Sequence, residues 1–281
     1  KHRVTMTFMV PAMIHALLAE PSLKTRDLSS LRLLSYGAAP MSPARIREAW
    51  AAFGPVLAQG YGAGETTGGV VSLGIEDHRR AIEGDRPELL SACGRPLGEC
   101  EVEVLDDAGQ PVTGDGNWSE IGEICVRGPD VFAGYWRAEA STREVLQDDG
   151  WLRTGDLARV DHEGYIHIVD RRKEMLVSGG FNIYPTEIEA VLAQHPAVYE
   201  VCVVGVPDEH WGEVVKAVVV LRQGAEASDQ VLIDFCKDRL ADFKKPRSVD
   251  FVSELPKNSN GKLSRKDVRE RYWQGRDRKV N

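Results

Sequence analysis

The sequence predicts an α/β fold that gives way to a β-rich stretch and then to a small α+β domain. Three observations carry this expectation. Residues 1–98 alternate short apolar runs with segments of helical spacing, punctuated by glycine-bearing turns. Residues 99–170 show period-two alternation and hairpin-turn residues instead. Beyond residue 170 the elements fall in the order β-α-β-β-α-β, and the charge balance changes: residues 1–170 hold 16 Lys/Arg against 26 Asp/Glu, residues 171–281 hold 19 against 17.

In chain order, residues 7–18 have apolar spacing suited to a helix, and residues 31–36 read as a short buried strand ending at Gly37. Ser42-Pro43 is an N-cap and first-turn pair for a helix running to about Phe53. Residues 56–59 form the next strand, which ends in a glycine-rich turn. Residues 99–104 alternate, and Asp106-Asp107-Ala108-Gly109 supplies a turn. Gly122–Arg127 and residues 165–169 fit strands, with Asp161-His162-Glu163-Gly164 as a hairpin turn. Thr186 with Glu189 makes a capping box, after which Ile188, Val191 and Leu192 share an apolar face. Residues 198–206 and 214–221 are β-branched strands. Residues 228–240 form an amphipathic helix with Val231, Leu232, Phe235 and Leu240 inward, and residues 247–252 a last strand before a basic tail.

The 281 residues, 42% hydrophobic, suffice for one large domain or two of ordinary size. A net charge of −8 argues against a nucleic-acid partner, and no apolar run is long enough to span a bilayer. Lys1-His2-Arg3 and the apolar residues after it mimic a signal sequence, but Pro11 and His15 interrupt the run and no cleavage site follows. The chain starts at Lys1 rather than Met and is read as a piece of a longer polypeptide. Cys93, Cys100, Cys125, Cys202 and Cys236 include no close pair, which fits buried, inert thiols in a reducing cytoplasm.

Several segments could carry chemistry. In Gln59-Gly60-Tyr61-Gly62-Ala63-Gly64-Glu65-Thr66-Thr67, glycines after a strand let backbone N–H groups approach a phosphate, and the Tyr61 ring can lie against a purine. A carboxylate beside phosphates needs a cation between them, so Glu65 is a natural Mg²⁺ ligand. Alone, the string equally describes a glycine turn with a surface glutamate. In Gly150-Trp151-Leu152-Arg153-Thr154-Gly155-Asp156-Leu157, a carboxylate on a tight turn can accept both vicinal ribose hydroxyls, although turn amides could satisfy it instead. Residues 170–189 read by composition as a charged turn leading into a strand and then a capped helix. In Leu255-Pro256-Lys257-Asn258-Ser259-Asn260-Gly261-Lys262-Leu263-Ser264-Arg265, a lysine on a glycine-preceded loop can set a point charge between a carboxylate and a phosphate. Lysine-rich tails are otherwise soluble surface. Tyr36-Gly37-Ala38-Ala39-Pro40 by itself is an ordinary turn.

In this order and at this spacing, the segments resemble the adenylate-forming enzymes: AMP-forming acyl- and aryl-CoA synthetases, luciferases and peptide-synthetase adenylation domains. The resemblance covers essentially the whole chain but only the latter part of such an enzyme. It implies that residues 1–170 are the C-terminal part of a large α/β AMP-binding domain, with a β-barrel-like subdomain over about 99–170. Residues 171–281 would be its small, mobile α+β C-terminal domain. The resemblance further implies that Gly37, Ala38, Ala39 and Pro40 cover one face of adenine, and that Tyr61, followed by Gly62, stacks on it. Glu65 would bind Mg²⁺ and serve catalysis, and Asp156 and Arg171 would hold the ribose. Lys173 would be the hinge, Gly179 and Gly180 would line the pantetheine tunnel, and Lys262 would be the catalytic lysine, with Lys257 its confusable neighbour. Gly64 stands where the family usually has threonine, and Thr66 is the candidate substitute for the missing hydroxyl near the phosphate.

The implied activity is ATP-dependent ligation of a carboxylic acid to the thiol of coenzyme A through an acyl-AMP, with ATP, Mg²⁺ and CoA as cofactors. A fatty acid is the first expectation and an aryl or alicyclic acid the second; residues 35–39 and 60–64 would supply part of the acyl pocket, and small positions there permit a long or bulky acid without requiring one. A carrier-protein phosphopantetheine is the alternative acceptor. A non-catalytic adenylate-binding module is the rival class, favoured by Gly64 and opposed by Glu65, Asp156, Arg171 and Lys262. The family's Ser/Thr/Gly-rich loop with its following lysine is not found in these 281 residues, so this chain alone is expected to adenylate poorly or not at all.

Overall fold

The first apolar run divides at Pro11. Strand β1 (Met6–Met9) precedes it and helix α1 (Pro11–Ala19) follows, in a computed structural model that describes residues 2–114, 116–257 and 263–274. A continuous apolar run sets no period of its own. Proline favours the first helical turn, and the residues ahead of it pair in parallel with residues 33–36. The chain divides into two units, Lys1–Ile168 and Val169–Asn281.

In the first unit β1, β2 (Leu33–Gly37) and β3 (Leu57–Ala63) run parallel. Parallel neighbours need crossovers, which α1 and α2 (Pro43–Phe53) supply. Ser42 caps α2 as expected, its Oγ accepting from the Arg45 N–H at 3.4 Å. Ile46, Ala49, Trp50 and Phe53 recur at helical spacing and pack on Leu34, Tyr36 and Leu57. β4 (Gly68–Leu73) turns back antiparallel to β3, helix α3 (Ile75–Glu83) follows, and β5 (Arg95–Pro96) completes the order β1-β2-β3-β4-β5.

The β-rich stretch contains β6 (Glu101–Leu105), β7 (Gly122–Arg127), helix α4 (Glu139–Val145), β8 (Leu152–Val160) and β9 (Ile166–Arg171). They form an open four-stranded sheet in the order β6-β7-β8-β9, not a barrel-like closure. Val102, Val104, Ile124, Val126 and Ala158 pack with Val70 and Val71 of β4, so alternate residues of this sheet cover the first. Asp161 makes the expected hairpin turn: its carbonyl accepts from Gly164 N–H at 2.9 Å, and its Oδ1 accepts from the N–H groups of Glu163 and Tyr165.

The second unit holds β10 (Leu176–Ser178), β11 (Phe181–Ile183), α5 (Pro185–Leu192), β12 (Val198–Asp208), β13 (Gly212–Leu221), α6 (Asp229–Lys237), β14 (Ser248–Phe251) and α7 (Arg265–Glu270). Its sheet runs β11-β10-β13-β12, with β14 parallel to β13. Alternation along β12 sends Val203 toward Ile188, Leu192 and Leu232, and Cys202 and Val204 toward Leu255 and Val268. The sheet is thus covered on both faces.

Three local expectations fail here. The capping box does not form: Tyr184 is the N-cap of α5 with no side-chain bond, and Pro185 starts the helix. Thr186 Oγ1 instead bonds Val169 O and Asp170, and Glu189 accepts from Val203 N–H and from Arg265. Val231 is exposed, not inward, and α6 stops at Lys237, leaving Leu232 and Cys236 as its buried residues. All five cysteines are free and buried. Among the described residues no helix is long and apolar enough to cross a membrane.

His78 of α3 is fully buried, stacked on Trp50, with Nδ1 2.7 Å from Gly74 O and Nε2 2.8 Å from the Tyr36 hydroxyl. The carbonyl fixes the proton on Nδ1, so Nε2 accepts from Tyr36 in the neutral ring. Burial holds His78 below its ordinary 6.5. The unfolded chain takes up a proton near that pH that the folded chain refuses, so this stabilisation is full above about 6.5 and is lost as the pH falls toward the folded value. The loss of unfolding free energy between pH 7 and 5.5 should therefore shrink in His78→Gln, by at most about 1.4 kcal/mol per pH unit. An equal acid loss in both proteins would remove His78 from this role.

Candidate functional site

Ligands of open parallel sheets gather beyond the carboxyl ends of the strands. Here those ends are Gly37 of β2 and the glycine-rich segment of β3. That segment is not a turn after a strand, as expected, but the strand's own continuation to Ala63, followed by a single 3₁₀ turn over Gly64–Thr66. The ladder to β4 slips between Tyr61 and Gly62, and a Cβ on Gly62 would stand 1.8 Å from Gly68 O. Only glycine lets the two strands approach so closely there. Ala38, directly after β2, is held at φ +63°, a left-handed conformation costly for alanine. Ala39 and Pro40 complete that turn.

The segments of Tyr61 and Asp156, far apart in sequence, are brought together. The Tyr61 hydroxyl donates to Asp156 Oδ2 at 2.8 Å, although the residues are 95 apart in sequence. Burial, then the Asp156 charge, pushes the Tyr61 hydroxyl well above its usual range, so it remains a donor. Asp156 lies within β8, in a bulge, and not on a free tight turn. Gly155 takes φ +76°, Thr154 Oγ1 donates to Ile124 O at 2.8 Å, and Asp156 N–H donates back to Thr154 Oγ1 at 3.1 Å. Glu123 and Arg153 support this bulge and were missed in the sequence. The available signal was a lone glutamate among apolar residues in a strand.

Glu65 is partly buried at the 3₁₀ turn. The Tyr135 hydroxyl donates to its Oε1 at 2.6 Å, and Phe132 N–H donates to its carbonyl at 2.8 Å. The bond to Glu65 pushes the Tyr135 hydroxyl up to about 12. Mg²⁺ binds through one or two carboxylates plus phosphate oxygens and waters. One carboxylate with a single oxygen engaged fits that pattern, and among the described residues no group of three His, Cys, Asp or Glu forms an all-protein metal cage. Tyr135 and Phe132 escaped the sequence reading, and their aromatic string after Gly128 was the only hint. Thr66 does not stand in for the hydroxyl absent at Gly64. It is buried, its Oγ1 accepting from Ala63 N–H at 2.9 Å and donating toward Gly68 O at 2.8 Å. A Cβ on Gly64 itself would meet nothing within 4 Å.

The remaining expected residues lie in the second unit. Arg171 ends β9, its N–H donating to Asp170 Oδ1 at 2.8 Å, and Lys173 sits in a 3₁₀ turn whose carbonyl at 173 accepts from Arg269. Gly179 and Gly180 form the two-residue turn of the β10–β11 hairpin, not a strand, at φ +56° and +85°. Positive φ at both positions is the type I′ hairpin turn. A Cβ on Gly179 would meet the Trp211 ring at 2.4 Å. Lys257 is engaged by Glu200 Oε1 at 2.7 Å and pairs as an isolated bridge with Leu263. Lys262 lies outside the described residues.

Comparison with known proteins agrees with this fold and residue order. The family model described as "AMP-binding enzyme" matches residues 1–136, and "AMP-binding enzyme C-terminal domain" matches residues 187–262. The medium/long-chain-fatty-acid–CoA ligase FadD8 of Mycobacterium tuberculosis is 45% identical over 288 residues, covering 100% of this chain and 48% of that protein. The fatty acid–[acyl-carrier-protein] ligase ScoC of Streptomyces coeruleorubidus is 38% identical over 278 residues, covering 99% of this chain and 52% of that one. Among solved structures, the amide bond synthetase McbA from Marinactinospora thermotolerans has a TM-score of 0.83 at 39% identity, over 96% of this chain and 53% of that chain. The chain spans about half the length of the curated relatives it matches. With both AMP-binding models on one chain, in the order the fold requires, the chain belongs to the adenylate-forming, AMP-binding enzyme family.

Proposed function

We propose that the whole protein is an AMP-forming acid–thiol ligase that activates a carboxylic acid as acyl-AMP and transfers the acyl group to CoA. The observation that carries this reading is the Tyr61–Asp156 hydrogen bond, which sets a ring able to stack on adenine against a carboxylate able to hold ribose. A fatty acid is the substrate class we favour, because the fatty-acid ligases FadD8 and ScoC are relatives over nearly the whole chain. ScoC also supports the second reading, in which the acceptor is a carrier-protein phosphopantetheine; the thiol chemistry is the same. A reducing cytoplasm suits the five unpaired thiols.

A carboxylate is a poor acyl donor because oxide is a poor leaving group. In the proposed first step its oxygen attacks the α-phosphorus of ATP, the bond to the β-phosphate oxygen breaks, and pyrophosphate departs. Gly37 to Pro40 and Tyr61 would hold the base, Asp156 and Arg171 the ribose. Two anions must meet, so cationic groups must face them. Lys262 is assigned that role, and Glu65 would hold a magnesium ion whose chemistry is to neutralise phosphate charge. In the second step a thiolate attacks the acyl carbonyl and AMP leaves with the bonding pair. The two steps need different groups at one carbon, which assigns Lys173 as a hinge and the Gly179-Gly180 turn to the pantetheine path.

The whole protein, offered ATP and a panel of fatty, aryl and alicyclic acids, should release AMP with fatty acids and a thiol acceptor. AMP release with no acid in the panel would defeat the reading. Lys262→Ala should lower adenylation by about two to three orders of magnitude while sparing thioester formation from supplied acyl-AMP. Equal loss of both steps would remove Lys262 from its role. Gly179→Leu should do the reverse, cutting thioester formation by about a hundredfold with adenylation retained. Gly64→Thr, for which the backbone has open space, should lower the KM for ATP, and an unchanged or raised KM would show that the hydroxyl has no use at this site.

A further inference from the structure

Glu123 is out of keeping with its strand. β7 is buried from Gly122 to Val126, and Glu123 within it is only 4% exposed. Burying a carboxylate strips it of water, and an apolar side chain of similar volume would serve the sheet as well or better. Its two oxygens have definite work. Oε1 accepts from the Gly155 N–H at 2.8 Å, and Oε2 accepts from Arg153 Nη1 at 3.2 Å.

Both partners belong to the bulge in β8. Glu123 lies opposite Leu157 while Cys125 lies opposite Arg153, so the ladder slips over residues 154–156. A bulge frees backbone groups from the ladder and re-aims a side chain. The Gly155 N–H is satisfied by Glu123, and the next side chain, Asp156, is the one that meets the Tyr61 hydroxyl at 2.8 Å. The backbone of Asp156 is thus set by one buried residue and the plane of its carboxylate by another.

We propose that Glu123 and the Tyr61 hydroxyl are positioning residues for sugar recognition, fixing Asp156 so that it distinguishes a 2′,3′-diol from a deoxyribose. The inference rests on the nucleotide reading of Tyr61 and Asp156 given above. A carboxylate offers about four lone-pair directions, and meeting two vicinal hydroxyls requires its plane to be fixed. Tyr61 supplies that with the ring's far end while its face remains for the base. Glu123 acts through the bulge, by its bonds to Gly155 and Arg153.

The test is equilibrium binding of AMP, 2′-deoxy-AMP and 3′-deoxy-AMP to the whole protein and to its Tyr61→Phe, Glu123→Gln and Glu123→Leu variants, with a thermal melt of each. The unaltered chain should prefer AMP over both deoxy forms. Tyr61→Phe keeps the ring and should lose about tenfold of that preference, as for one hydrogen bond to a charged group. Glu123→Leu should lose a comparable share. Glu123→Gln, whose amide oxygen can still accept from Gly155 N–H, should keep most of it. Preference undiminished in Tyr61→Phe and Glu123→Leu, whether or not the melts fall, would reduce both residues to a structural role and overturn the inference. If Glu123→Leu does not fold, an undiminished preference in Tyr61→Phe overturns it. An unaltered chain that shows no preference among the three nucleotides would remove the nucleotide reading itself, and the inference with it.

Discussion

The hydrogen bond from Tyr61 to Asp156 constrains the first unit more than any other single contact at the proposed site. It joins the end of β3, in a mixed sheet and paired there antiparallel to β4, to the bulge of β8, in an antiparallel sheet. The tyrosine is carried on a strand pressed so near its neighbour that Gly62 must lack a side chain, and the aspartate follows a glycine at positive φ whose N–H is held by a buried glutamate. Each of these features is a local departure from ideal strand geometry, and each points a polar group toward the same place. Departures of this kind persist only where the surrounding packing over-determines them, and here Val70, Val71, Ile124 and Val126 supply that packing.

What could be read from the sequence follows from how far each interaction reaches along it. The Ser42 cap, the Asp161 turn and strand β7 depend on residues within a few positions of one another, and they stand where spacing put them. The capping box failed for the same reason in reverse. Thr186 and Glu189 have suitable types and spacing, yet Asp170, Val203 and Arg265 offer them stronger or more buried partners than the helix end does. Pro185 then set the start of α5. The run before Pro11 was ambiguous because its apolar residues satisfy strand and helix alike until a partner strand decides.

The chemistry-bearing residues show the same division. Glu65 and Asp156 stood out because the strings around them carry their own glycines and order. Glu123 and Tyr135 did not, since their meaning comes from partners 32 and 70 positions away. Periodicity treats a lone glutamate in an apolar strand as noise. Only its burial and its bond to Gly155 turn it into a supporting residue. Thr66 shows the opposite error, a plausible hydroxyl at the right distance in sequence that the backbone of its own turn has already engaged.

Arg265 has a consequence for how the protein is made. Its guanidinium bonds Glu189 through two contacts of 2.7 and 2.8 Å and also bonds Glu174, residues 76 and 91 positions earlier in the chain. Those carboxylates sit at the beginning of the second unit, and their counter-charge is near its end. During synthesis the opening hairpin and α5 emerge from the ribosome well before Arg265 exists, so until then Glu189 lacks the cation that justifies its burial. The charge pairing at the start of the second unit is therefore completed only once Arg265 has been added, later than the hairpin and helix it joins.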